Sequence, residues 1–189
     1  MVRAGLTTER VVRAGAELAD EAGFDAVTPS ELARRFGVQV ASLYSHVKNA
    51  HELRTKIALL ALDELADRAA AALAGRAGRD ALVAFADVYR DYAREHPGRY
   101  AAAQLRLDAE TAAASAGPRH AEMMRAILRG YDLTGPDETH AVRLLGSVFL
   151  GFVSLETQGG FDHSSPPAPE SWVRILDVLD SLLRDWPRS

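Results

Sequence analysis

The chain contains no cysteine. Disulfide frameworks, thiolate zinc sites, iron–sulfur clusters and cysteine nucleophiles are therefore excluded from its chemistry. Lysine is almost missing as well: Lys48 and Lys56 stand alone among 22 basic residues, and the rest are arginine. Aromatic residues make up 7%. The longest apolar stretch, Leu144–Leu155, is interrupted by Gly146, Ser147, Gly151 and Ser154 and is too short to span a bilayer. No apolar segment of signal length follows Met1, so a soluble, cytoplasmic protein without a membrane partner is the expectation. Runs of alternating β-branched residues are absent too, which removes the signal for strands.

What is present is ordinary globular composition, 48% hydrophobic and 25% charged over 189 residues, enough chain to bury a core without staples. Apolar residues recur at three- and four-residue spacing, so the fold expected is all-α, with nine helices. The first begins at Thr7 or Thr8 and stops at Gly23. The second opens with Thr28-Pro29-Ser30-Glu31, a hydroxyl cap with proline at the first helical position, and ends at Gly37. A short third helix covers Val40–His46, and a fourth runs from Asn49 or Ala50 to Leu73. Five more are expected at Ala81–Glu95, Arg99–Ala114, Arg119–Tyr131, Asp137–Gln158 and Glu170–Asp185, separated by Gly and Pro. The net charge is −4, unevenly spread. Residues 1–56 carry 8 basic against 7 acidic side chains, a balance of +1, and the remainder 14 against 19, a balance of −5. The N-terminal quarter is the part that a polyanion would not repel.

That quarter also holds the informative stretch, Thr28–Lys56. Two short helices meet across the turn Gly37-Val38-Gln39, and Leu32, Ala33, Phe36, Val38, Leu43 and Val47 close a small core between them, a helix-turn-helix arrangement. Gln39, Ser42, Ser45 and His46 are expected on the outer face of the second short helix, with Tyr44 beside them. Amides, hydroxyls and imidazoles are the groups that base edges pair with, and a tyrosine hydroxyl bonds phosphate. Lys48 follows, just before a helix N-terminus suited to a phosphate, and Thr28 with its neighbouring amides supplies a second such clamp. No carboxylate pair accompanies His46 and His51, so a metal site is not expected, nor any cofactor.

Thr28–Lys48, ending in Leu43-Tyr44-Ser45-His46-Val47-Lys48-Asn49, resembles the DNA-binding domain of the tetracycline-repressor (TetR) family of bacterial transcriptional regulators, over about residues 7–56. The resemblance implies that Gln39, Ala41, Ser42, Tyr44, Ser45 and His46 lie on the recognition helix or its lead-in, and that Thr28, Tyr44 and Lys48 hold phosphates. Two positions depart from the pattern: Ala50 stands where lysine is common, and Val40 is apolar where a base-reading side chain can occur. The segment Val142–Phe161 resembles the WHG-type C-terminal domain of the same family, with Leu150 in place of the usual histidine.

The expected organisation is thus a DNA-binding domain at residues 1–50, joined by the long helix to a helical ligand-binding and dimerisation domain at residues 51–189. Ser147, Gly151 and Ser154 form a small-residue track that admits a second helix. Val148, Phe152 and Leu155 with Trp172, Leu176, Leu179 and Leu183 supply apolar area for a four-helix dimer interface, unless both helices are simply core. Tyr89, Tyr92, Leu105, Met123 and Met124 suit a plastic apolar pocket for a small-molecule effector, or equally an ordinary core. The function expected is a homodimeric repressor released by that effector from a pseudo-palindromic duplex operator. A constitutive DNA-binding dimer is the alternative; a helical enzyme is disfavoured, because no nucleophile–base pair or phosphate loop is present.

Overall fold

The computed structural model describes residues 5–187, which form nine α-helices and two short 3-10 segments, with no strand among them. In order these are α1 (Thr8–Ala22), a 3-10 turn (Phe24–Ala26), α2 (Pro29–Phe36), a second 3-10 segment (Val40–Ser45), α3 (Ala50–Leu73), α4 (Gly78–Glu95), α5 (Pro97–Ala103), α6 (Ala109–Ala114), α7 (Gly117–Arg129), α8 (Gly135–Thr157) and α9 (Ala168–Arg184). None of the described helices is long and apolar enough to cross a membrane.

The chain divides into two compact units. The first comprises the chain up to Glu64 together with Glu95–Ala116, so the unit that holds the helix-turn-helix reaches well beyond residue 50. α1 and α2 start where hydroxyls cap them: Thr7 Oγ1 accepts from the Arg10 amide at 3.2 Å, and Thr28 Oγ1 from the Glu31 amide at 3.2 Å. Glu31 does not complete a capping box. Its carboxylate turns to the Arg34 guanidinium instead. Gly37 ends α2 in the left-handed region (φ 65°), where its own amide and that of Val38 satisfy the Arg34 and Ala33 carbonyls. Val11, Ala16, Leu32, Leu43, Leu53 and Ile57 are fully buried and form the core.

Ala102 of α5 belongs to that same core. The reason α5 can lie so close is Gly98: a Cβ there would stand 1.9 Å from the Ala19 carbonyl oxygen of α1. Around this crossing, Asp20 accepts from the Arg99 amide at 2.9 Å and pairs with the His96 ring at 3.1 Å. The sequence predicts one helix over Arg99–Ala114, whereas the chain forms two. Pro97 takes the first position of α5, Leu105 turns in against the core, and Asp108 recaps α6 by accepting from the Thr111 amide at 2.9 Å.

The second unit comprises Leu65–Arg94 and the chain from Gly117 onward. Phe85 and Tyr92 of α4, Leu128 of α7, Leu145 of α8, and Trp172 and Leu183 of α9 fill its core. Arg90, 8% exposed, is held by Glu156 (Nε–Oε2 2.8 Å) with the Trp172 ring 5.5 Å away. Trp172 in turn donates its Nε1 hydrogen to Asp87 at 2.7 Å, and Tyr131 donates to Asp180 at 2.7 Å. Every buried polar group named here thus has a partner, as a low-dielectric interior demands.

Two outcomes follow from this packing. Gly98→Ala should destabilise the first unit by about 1–3 kcal/mol in urea denaturation, because the obstructing atom is backbone and cannot swing aside. Arg90 holds the Glu156 carboxyl below the usual glutamate range. The stabilisation from that pair is therefore complete above the unfolded glutamate value and lost as pH falls through the lower, folded one. Glu156→Gln, which leaves a buried guanidinium uncompensated, should cost about 3–5 kcal/mol at neutral pH. The gap to wild type in the same denaturation should close as the solution is acidified.

Candidate nucleic-acid interface

Between α2 and α3 the chain folds as a 3-10 helix rather than the α-helix expected there. Ser42 donates its amide to the Gln39 carbonyl at 2.9 Å, His46 to Leu43 at 2.9 Å, and Ser45 Oγ to the Ser42 carbonyl at 2.8 Å. Two serines in six residues favour this local bonding over an α-helical ladder. Three residues per turn put side chains at i and i+3 on one edge. Val40, Leu43 and His46 share the inner edge, where Leu43 is fully buried and the other two are half-buried. Gln39, Ser42 and Ser45 share an exposed edge, and Ala41 and Tyr44 a second, with Tyr44 53% exposed. His46 therefore sits with the core-facing residues and not, as its spacing suggests, beside Gln39, Ser42 and Ser45.

Two residues expected to hold phosphates, Thr28 and Lys48, flank this segment. Thr28 is exposed at the start of α2, and the hydroxyl that accepts from Glu31 still carries its own hydrogen to donate. Lys48 is exposed two residues before α3. There Asn49 Oδ1 accepts from the Glu52 amide at 2.8 Å while the Glu52 carboxylate accepts from the Lys48 amide. This cap, in which Glu52 reaches one residue further back than in a capping box, is not among the sequence expectations. It engages amides that were expected to face a phosphate. The bond from Lys48 is also the main reason the Glu52 carboxyl lies below its usual range.

The residues expected to form an effector pocket are divided between the two units. Leu105 packs in the first unit. In the second, Tyr92 is wholly buried with the Arg68 guanidinium 5.0 Å from its ring centroid. Tyr89 hydrogen-bonds to His120, Met124 is half-buried, and Met123 lines a cavity of about 190 Å³ with Leu73, Ala81 and Ile127. Of the residues expected at a dimer interface, Phe152, Trp172, Leu176, Leu179 and Leu183 are buried within their own chain, facing inward from α8 and α9. Ser147, Gly151 and Leu155 are exposed, and Val148 is half-buried. Leu150, Val178 and Leu182 are exposed apolar residues that the expectation omitted. Val148, Arg174, Ile175 and Val178 line a groove of about 300 Å³ there.

Comparison with known proteins bears on both units. Residues 11–53 match the family model described as "Bacterial regulatory proteins, tetR family", and residues 82–179 match "Tetracyclin repressor-like, C-terminal domain". The chain is 35% identical over 163 residues to the uncharacterized HTH-type transcriptional regulator Rv0681 of Mycobacterium tuberculosis, covering 84% of this chain and 74% of that protein. It is 29% identical over 180 residues to the uncharacterized HTH-type regulator YobS of Bacillus subtilis, covering 95% and 88%. The crystal structure of TetR-Q116A from Acinetobacter baumannii, in complex with minocycline, superposes with a TM-score of 0.73 at 22% identity, covering 98% of this chain and 100% of that one. A helix-turn-helix whose buried leucine turns an amide, hydroxyls and a tyrosine outward, matched with a C-terminal domain of the same kind, places this chain in the TetR family of DNA-binding transcriptional regulators and not among enzymes.

Proposed function

We propose that the chain acts as a homodimeric repressor that sets Val40–Ser45 into successive major grooves of a pseudo-palindromic operator and leaves it on binding a small apolar effector. The observation that carries the DNA part is the pair of exposed edges, Gln39/Ser42/Ser45 and Ala41/Tyr44, on a segment pinned by the buried Leu43. Phosphate contacts from Thr28, Tyr44 and Lys48 supply affinity and register; Gln39, Ser42 and Ser45 supply base preference, with His46 at the margin of the contact. Residues 1–50 carry the DNA contacts in this reading, and the remainder carries dimerisation and effector binding.

The dimer reading is supported by an apolar surface that the chain's own core leaves uncovered. It comprises Leu155 with the small Ser147 and Gly151 on α8, and Val178 and Leu182 on α9. A two-fold pairing of α8 and α9 covers these residues and doubles the contact with DNA. Phe152, Trp172, Leu176, Leu179 and Leu183 then support the interface from behind. Effector binding is supported by the likeness of fold to a protein crystallised with minocycline, with Met123 the expected residue that lines a cavity. That cavity, about 190 Å³, is smaller than the usual ligand site. Its size favours the second reading, a constitutive dimer without an effector.

Lys48→Ala should weaken binding to mixed-sequence and operator duplexes alike, lowering the slope of log affinity against log salt by about one per half-site. Anisotropy titrations at several salt concentrations measure this, and an unchanged slope removes Lys48 from the contact. Val178→Asp should turn a sedimenting dimer into a monomer at micromolar concentration while leaving the helical spectrum intact. A wild-type monomer, or a dimeric variant, contradicts the interface. For the effector, a folded-state ligand raises the melting temperature with concentration. A library of apolar compounds that shifts nothing supports the constitutive alternative.

A further inference from the structure

The proposed function sets the exposed Lys48 on a phosphate, and a lysine is a point charge on a flexible four-carbon stem. Where that charge can reach is decided by the backbone that carries it. The chain leading into Lys48 is fixed group by group. The His46 carbonyl accepts from Thr8 Oγ1 of α1 at 3.3 Å, and the Val47 amide donates to the Leu43 carbonyl at 3.0 Å. The Val47 side chain is buried in the same core as Leu43. The next amide, that of Lys48 itself, is held by Glu52 of α3, whose Oε2 accepts from it.

Glu52 is aimed at that amide by its own helix. Its backbone amide donates to Asn49 Oδ1 at 2.8 Å, which starts α3, and its Oε1 stands 3.6 Å from Lys56 Nζ, one turn further on. The bond from the Lys48 amide is the main cause that holds the Glu52 carboxyl below the usual glutamate range. Near neutral pH the acceptor is therefore an ionised carboxylate, and the bond is charge-assisted. A negative charge beside a cation meant for phosphate also repels that phosphate. Its presence there lowers affinity unless it serves the contact in another way.

From this arrangement we infer that Glu52 is a positioning residue for DNA binding: by fixing the Lys48 amide it sets where the Lys48 ammonium meets the sugar–phosphate backbone. The inference rests on the DNA-binding reading above. Reach, not charge, is the property of Glu52 that the contact uses. A side chain that keeps an acceptor oxygen at the same distance holds Lys48 in place without the charge. A carboxylate one methylene shorter leaves the amide to water and lets the lysine take other directions. Because Lys48 meets phosphate and not a base edge, the effect falls on affinity and salt dependence and leaves sequence preference unchanged.

The test compares full-length wild type, Glu52→Asp, Glu52→Gln, Lys48→Ala and the double variant Glu52→Asp/Lys48→Ala on one mixed-sequence duplex at several salt concentrations, after melting curves confirm that each is folded. Glu52→Asp should bind roughly three- to tenfold more weakly at low salt and lower the salt slope toward that of Lys48→Ala. Glu52→Gln should keep the wild-type slope and bind at least as tightly. In the double variant, Glu52→Asp should add nothing to the loss from Lys48→Ala, the coupling expected of a residue that acts through another. Glu52→Asp equal to wild type, with the Lys48→Ala slope lowered, overturns the inference and leaves the DNA-binding reading standing. So does a double variant in which the two losses add, or a Glu52→Gln as weak as Glu52→Asp. A Lys48→Ala slope equal to wild type removes the contact that Glu52 serves and the inference with it. Wild type that binds no duplex at low salt overturns the underlying reading itself.

Discussion

The burial of Leu43 is the constraint on which the proposed DNA-facing surface depends. A six-residue segment is too short to hold a helical conformation alone, so its geometry comes from the side chain it anchors in the core. With three residues per turn, fixing one edge inward turns the other two outward. Leu43, flanked by the half-buried Val40 and His46, thereby decides which polar side chains face solvent. Removing a buried leucine typically costs about 2–5 kcal/mol, enough to release the whole segment and with it both exposed edges.

Charge is organised on the same principle of internal fixing. A chain of net charge −4 does not attract a polyanion as a whole, so affinity has to be local. In the helix-turn-helix, Arg13 and Arg34 pair with carboxylates of their own helices, and Arg35 and Arg54 tie separate elements together. Arg35 of α2 reaches Glu17 and Glu21 of α1, and Arg54 of α3 reaches Asp25 while lying 4.1 Å from the Phe24 ring centroid. Exposed pairs of this kind contribute little stability each, but they remove cations from the surface and leave a few positions to determine where a phosphate can sit. The near absence of lysine sharpens this, since of the two lysines Lys48 follows the recognition segment and Lys56 lies within α3, paired with Glu52 at 3.6 Å.

Much of this was legible in the residues. Hydroxyl caps at Thr7 and Thr28, the stop at Gly37 and the long run through Leu53, Ile57 and Leu65 mark elements that the structure reproduces, because cap and turn chemistry is local. The 3-10 geometry was not legible. The two helix types differ by about 20° per residue, so from Gln39 to His46 the expected face drifts by roughly 140°, enough to move His46 to the inner edge. The break at Gln104–Asp108 was hidden for a related reason. Leu105 fits a helical period, and only the core into which it turns explains the interruption. For α8 and α9 both faces are apolar, so periodicity could not say which residues serve the chain's own core. Trp172 and Leu183 do, and Val178 and Leu182 do not. The residues expected at a pocket show the same limit, since aromatic and thioether side chains fill a core as readily as they line a cavity.

The claim at the centre is that the outward edges of Val40–Ser45 read duplex DNA as a symmetric pair. Selection of bound duplexes from a random pool by the purified full-length chain tests it most directly. The account predicts enrichment of an inverted repeat whose half-sites lie about 34–36 Å apart, one helical turn. A pool that emerges unenriched at low ionic strength, or that yields a single unpaired site, contradicts it.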